Sequence, residues 1–221
     1  MTETAAFDRL PLRERKHART KLAFLDATLE AIRLRPLEEV TVKQLCDTVG
    51  VSEASFFNYF ARKSDVLIYA VQLWSVEMAW HAQRVAASSS GLAAIAEIFA
   101  LTARQVAEHP EPMAEIIAGQ ARMTAPPVFG ELTTAERLLR FPGLDGIATV
   151  RGEGLDEILP PLIDRAICAG ELPAHTDRQR LLVALATVFL GLPVVLRGAD
   201  AARLEAAYRE HLALLWAGLR A

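Results

Sequence analysis

The side chains of this 221-residue sequence that could do chemistry are histidines, cysteines, clustered carboxylates and cations, and the first two lack the spacing that chemistry needs. The five histidines, His17, His81, His109, His175 and His211, are isolated along the chain, with no HExxH and no paired His/carboxylate metal spacing. No glycine loop that could cradle a phosphate and no nucleophile elbow occurs. Cys46 and Cys168 lie far apart with no second pair, so neither a disulfide framework nor a four-thiolate zinc site can be built; both read as small buried residues of a reducing compartment. Glu153, Asp156 and Glu157 could hold a cation, though such a cluster is more often a solvated helix start. No catalytic residue, metal or cofactor is therefore expected. The remaining group is cationic. All four lysines (Lys16, Lys21, Lys43, Lys63) lie in the first 63 residues, and residues 9–21 hold Arg9, Arg13, Arg15, Lys16, Arg19 and Lys21 against Glu14 alone. Beyond Ala70 there are 13 basic and 17 acidic residues. A basic N-terminal arm on an acidic body can neutralise phosphates while the body is repelled from them; a solvated, frayed terminus is the other reading.

The elements that position these groups read as helical throughout. With 52% apolar and 23% charged residues, the chain is too apolar for disorder and long enough for one or two domains. Apolar residues Ala18, Leu22, Leu25, Leu29 and Ile32 recur at helical spacing across residues 13–35, closed by Pro36. Thr41 caps a short helix over 42–49 that ends at Gly50, and Ser52 caps another over 53–60, the spacing of a helix-turn-helix. A longer helix opens near Asp65 and runs to about Ala87, with Lys63 facing outward. Further helices cover 92–109, closed by His109-Pro110-Glu111-Pro112, and 113–123, closed by Pro126-Pro127. The signal is weak over 128–154, and 155–169, 178–196 and 200–219 complete the set. No strand alternation competes. The first twenty residues lack the apolar segment of a signal peptide, so the expected location is cytoplasmic. The run 181–196 falls short of the ~20 residues of a span and contains Gly191 and Pro193; it reads as a buried or subunit-facing helix, not a membrane segment.

Leu22, Leu25, Val42, Leu45, Val49, Val51, Phe56 and Phe60 can meet in one small core, leaving Ser55, Phe57, Asn58 and Tyr59 to project. The segment TVKQLCDTVGVSEASFFNYFARKSDVL, residues 41–67, resembles the DNA-binding helix-turn-helix of the tetracycline-repressor (TetR) family of bacterial transcription regulators. The markers are Thr41-Val42, Gly50-Val51-Ser52, the aromatic run 56–60 and Lys63. The resemblance implies an all-α fold: a three-helix DNA-binding domain over 1–62, then a larger helical effector-binding and dimerisation domain over 63–221. It implies that the second helix of the pair enters the major groove, where amide and hydroxyl groups read base edges and an aromatic can meet a thymine methyl. Asn58 is the candidate base reader, beside Ser55 and Phe57. Tyr59, Lys63, Thr41 and Ser52 match positions that contact phosphates in the family, and Lys16 belongs to the basic arm. Two residues depart from the pattern: Phe57 stands where tyrosine is frequent, and Glu53 where a basic or small residue is usual.

The resemblance further implies an effector pocket whose occupancy competes with DNA through one conformational equilibrium. Trp74, Met78 and His81 share a helix face, and Phe99, Met113, Ile117, Gln120 and Met123 could close the other sides around a hydrophobic small molecule; each is individually more often core packing. Helices 155–169 and 178–196 have more apolar surface than one core face absorbs, and two copies would form a four-helix bundle across a twofold axis, implying an inverted-repeat operator. The expected function is a ligand-responsive, dimeric, sequence-specific DNA-binding regulator, in the first instance a repressor. An all-helical enzyme, or an effector-independent DNA- or protein-binding factor on the same fold, are the alternatives.

Overall fold

A computed structural model describes residues 3–124, 128–152 and 154–220. All regular structure among them is helical. The Glu153 member of the acidic cluster and Pro126-Pro127 lie outside the described residues. The chain divides into two compact units, Met1–Glu77 with Glu111–Arg151, and Met78–Pro110 with Gly152–Ala221.

In the first unit α1 (Glu3–Asp8) precedes α2 (Leu12–Ile32). The helix α1 was not expected, and it changes the reading of the basic arm. Phe7 is buried, the Arg19 guanidinium lies 5.5 Å over its ring, and Arg15 pairs with Asp8 at 3.6 Å. Residues 12–21 are thus the first turns of a packed helix and not a free tail. α2 ends three residues before the expected Arg35, because the residue ahead of Pro36 is pushed out of the helical region; Pro36 then opens a 3-10 turn, Leu37–Glu39. α3 (Val42–Val49) starts in a capping box, Thr41 Oγ1 accepting from Gln44 N while Gln44 Oε1 accepts from Thr41 N, and stops at Gly50 with φ 79°. α4 (Glu53–Phe57) is shorter than the expected 53–60: Tyr59 N bonds the Phe56 carbonyl at 2.9 Å, tightening the last turn.

The core of this module is centred on a residue that the periodic stripe omitted. Phe24 is fully buried, edge-on to Phe56 at 5.1 Å and to Phe60 at 6.4 Å, with Ala18, Leu22, Leu25 and Leu45 around it. Val42, Val49 and Val51 are only half-buried. The physical reason is that α2 packs on two sides, against α3 and against α8 (Thr134–Arg140), so its buried surface is wider than one stripe. α8 arises in the stretch where helical signal is weak, from a second capping box between Thr133 and Glu136. α5 (Asp65–Ser88) contributes its first half to this unit, and α7 (Pro110–Ala121) begins on Pro110 at the first helical position; the expected break at 109–112 is therefore both the end of one helix and the start of the next.

In the second unit α6 (Gly91–Glu108) packs on α9 (Leu155–Cys168) and α11 (Ala201–Arg220). Gly91 permits the first contact, since a Cβ there would lie 2.4 Å from the Leu162 carbonyl oxygen. Phe99, Phe189 and Tyr208 pack as an aromatic trio at 5.0–6.2 Å, and the Tyr208 hydroxyl donates to the Phe189 carbonyl at 2.7 Å. Cys168 is exposed on the last turn of α9, against expectation, because Ala166 and Ile163 take the inward positions. α10 (Arg178–Val195) buries Leu181, Leu185, Phe189 and Leu192 and leaves Val183, Leu190, Val194 and Val195 exposed. Among the described residues it is the one helix long and apolar enough to cross a membrane. It is packed, however, against α11, whose Arg203, Glu205, Arg209 and Glu210 could not follow it into hydrocarbon.

Candidate nucleic-acid interface

The projecting surface is fixed by short polar caps and aromatic anchors. Ser52 Oγ accepts from Ser55 N at 3.3 Å and shares a hydrogen bond with the Ser55 hydroxyl at 2.9 Å, which holds the first turn of α4. Asn58, at the far end of α4, is exposed, as are Thr41 and Ser52. Phe57 leaves 56% of its surface in solvent while its edge rests on Phe56 at 5.4 Å. Tyr59 is half-buried, its ring 4.7 Å from His17 and 5.8 Å from Phe24. The fold thereby brings the start of α2, with exposed Lys16 and His17, beside the end of α4. An amide, two hydroxyls, an aromatic edge and a cationic flank on one rigid unit can hydrogen-bond base edges and phosphates.

Lys63 does not join this surface. Its ammonium donates to the carbonyls of Leu37, Val40 and, at 3.2 Å, Glu38, capping the 3-10 turn from inside the unit. The expected outward position is taken by Arg62, exposed and paired with Asp65 at 2.9 Å, where Asp65 also accepts the Arg62 backbone N–H. On α3, Lys43 is spent on Asp47 at 3.0 Å, a pairing that raises its pKa, and Arg35 donates to Gln44 Oε1 at 3.2 Å. Glu53 is exposed at the start of α4; burial first, then the charges of Glu53 and Asp47, push the Cys46 thiol up.

A buried polar cluster lies behind the interface. Glu136 of α8 is fully buried and meets Lys21 Nζ of α2 at 2.6 Å, and the same ammonium lies 4.2 Å over the Tyr69 ring. Burial raises the Glu136 pKa, but the Lys21 ammonium and the Thr133 N–H outweigh it and hold the carboxyl below the ordinary range. The Tyr69 hydroxyl is pushed up, first by burial and then by Glu136. The sequence presents Lys21 as part of the basic N-terminal arm, although its spacing from Ala18 and Leu25 puts it on the packed face of α2.

The residues proposed for an effector pocket do not converge. Met78 and Phe99 are fully buried, Phe99 within the aromatic trio. His81 is half-buried against Trp80 at 4.9 Å, and Trp74, Met113 and Ile117 are half-buried. Gln120 and Met123 line a cleft of about 690 Å³ in the first unit, together with Tyr59, Phe60, Leu67 and Ile68. Among the described residues no group of three His, Cys, Asp or Glu side chains is placed to hold a metal ion.

This helix-turn-helix is one that recurs. Residues 24–70 match the family described as bacterial regulatory proteins, tetR family. The match covers the helix-turn-helix and the start of α5, about a fifth of the chain. No curated protein matches the sequence at a meaningful level. Solved structures share the TetR fold at low identity. The transcriptional regulator FadR from Bacillus subtilis, in complex with stearoyl-CoA, is 18% identical with a TM-score of 0.58, covering 89% of this chain and 98% of that one. A putative TetR-family regulator from Rhodococcus sp. is 18% identical at a TM-score of 0.58, covering 94% and 100%. The TetR-family regulator CifR, in a cysteine-substituted form complexed with 26 bp operator DNA, is 21% identical at 0.56, covering 86% and 93%. The all-helical TetR-family fold expected from the sequence is thus the fold observed.

Proposed function

We propose that this TetR-family protein is a cytoplasmic, homodimeric, sequence-specific DNA-binding regulator, acting as a repressor on an inverted-repeat operator and released by a small hydrophobic effector. The observation that carries the reading is the exposure of Ser52, Phe57 and Asn58 on a short capped helix, with Ser55 half-buried between them, flanked by Lys16, His17 and Tyr59. Asn58 reads a base edge, Thr41, Ser52 and Tyr59 contact phosphates, and Lys16 supplies charge. Lys63 holds the module together from within. The apolar side of α10 gives the dimer its surface: Val183, Leu190 and Val194 form one row that no described residue covers, flanked by Val195, all four exposed. CifR with its operator and FadR with stearoyl-CoA support the two ligand classes by fold analogy.

The test is selection of genomic fragments by the purified protein against excess competitor DNA at moderate salt. Enrichment of inverted-repeat fragments supports the reading, and equal retention of all fragments rejects it. An all-helical enzyme has no comparable observation in its favour.

A further inference from the structure

The outward face of α4 carries no cation. Glu53, Ala54, Phe57 and Asn58 are exposed, at spacings that place them on one side of the helix, while Ser55 is half-buried and Phe56 fully buried. The hydroxyls of the first turn are engaged with one another, Ser52 with Ser55 at 2.9 Å. The Glu53 carboxylate makes no hydrogen bond or ion pair to another described residue, and Lys43 of α3, which feels its charge, is spent on Asp47 at 3.0 Å. The face therefore offers duplex DNA a carboxylate that can only accept, a methyl, an aromatic edge and, at its far end, the Asn58 amide.

The base edges of the major groove respond differently to such a face. Guanine presents O6 and N7 and thymine presents O4, all acceptors that repel a carboxylate. Adenine presents its amine beside the N7 acceptor, whereas cytosine presents its amine with no acceptor on its own edge. The thymine methyl suits Ala54 and Phe57, and the amine and N7 of adenine suit the Asn58 amide. We infer that Glu53 is a specificity-determining residue whose carboxylate accepts from a cytosine amine in each half-site, and that the half-site read by α4 joins this C·G pair to A·T pairs met by Ala54, Phe57 and Asn58. The inference rests on the regulator reading and names what that regulator selects. At about 1.5 Å rise per residue, Glu53 and Asn58 are about 7.5 Å apart along α4, so with the helix lying in the groove the cytosine and the adenine fall within about three base pairs of each other. A carboxylate facing phosphates also weakens binding to every sequence, so removing it acts with opposite sign on the selected site and on random duplex.

The full-length protein, Glu53→Gln and Glu53→Ala are each used to select sites from a random duplex library, and affinities are then measured by fluorescence anisotropy. Wild type is expected to select cytosine at one position of each half-site. Glu53→Ala should lose the preference at that position alone, and Glu53→Gln should move it to adenine, whose amine and N7 match an amide. On the wild-type site each variant should bind about tenfold or more weakly, and on random duplex at least as tightly as wild type, with melting temperatures retained. Replacing the selected cytosine by 2-pyrimidinone, which lacks the amine, should cost wild type about tenfold more than it costs Glu53→Ala. Equal cost in the two proteins overturns the assignment. So do parallel losses on selected and random DNA, the mark of a carboxylate that only steadies the start of α4. A wild type that enriches no sequence overturns the regulator reading and this assignment with it, whereas one set of sites enriched alike by wild type and both variants overturns the assignment alone.

Discussion

At the residue scale, position in the fold separates side chains that the sequence presents as equivalent. Asn58 is exposed and unencumbered by the core, so Asn58→Ala should cost about 1–3 kcal/mol on the preferred sequence and relax preference at one position of each half-site. Equal losses on specific and random DNA, measured by anisotropy titration, would remove it as a base reader. Lys16→Ala should flatten the salt dependence with little change in stability, while Lys63→Ala should lower the melting temperature, because three carbonyls lose their donor. The difference between those two lysines was not legible in the sequence, where both simply read as cations near a helix start. The same holds for Lys21, whose partner Glu136 is over a hundred residues away; capping boxes are local patterns, but the ion pair they place is not. Glu136 has a depressed pKa, so its contribution to stability is complete above the ordinary carboxylate range and is lost as pH falls through that range toward its folded value. Glu136→Ala should destabilise by about 3–5 kcal/mol and remove that part of the acid limb in pH-dependent denaturation.

At the element scale, helices defined by local chemistry were read to within a few residues, and those defined by distant packing were not. The start of α3 at Val42, its stop at Gly50 and the start of α4 at Glu53 follow from Thr41, a left-handed glycine and Ser52, all decided by neighbours in sequence. Helix α1 is held by Phe7 against α8, and α8 by its burial on α2, so their signals lie in contacts and not in periodicity. Phe24 was missed for the same reason, since α2 has two partners. Two glycines test the turn and the packing separately. Gly50→Ala meets nothing within 4 Å, so its cost should be the backbone term alone, about 1–2 kcal/mol by chemical denaturation. Gly91→Ala drives a Cβ against the Leu162 carbonyl and should cost about 1–3 kcal/mol by forcing α6 away from α9. A neutral Gly91→Ala would show that contact to be looser than it stands.

At the scale of the whole molecule, the account joins a DNA-reading surface in one unit to an apolar helix face in the other. The exposed row on α10 predicts a particle of twice 24.2 kDa in light scattering, and Leu190→Glu with Val194→Glu should yield a folded monomer that has lost most of its operator affinity. A wild-type monomer at micromolar concentration would remove the dimer and with it the inverted repeat. The helix-turn-helix was legible because it is a local pattern; the placement of Trp74, Met78, His81, Phe99, Met113, Ile117, Gln120 and Met123 was not, because it depends on packing between helices distant in sequence, and of these only Gln120 and Met123 line the cleft of the first unit. The most direct measurement is the affinity of the purified protein for fragments of its own genome against random duplex at moderate salt. The account predicts a small set of inverted-repeat fragments bound at least about a thousandfold more tightly than random sequence, with the margin reduced by Asn58→Ala. Equal affinity for every fragment, unchanged by that substitution, would contradict it.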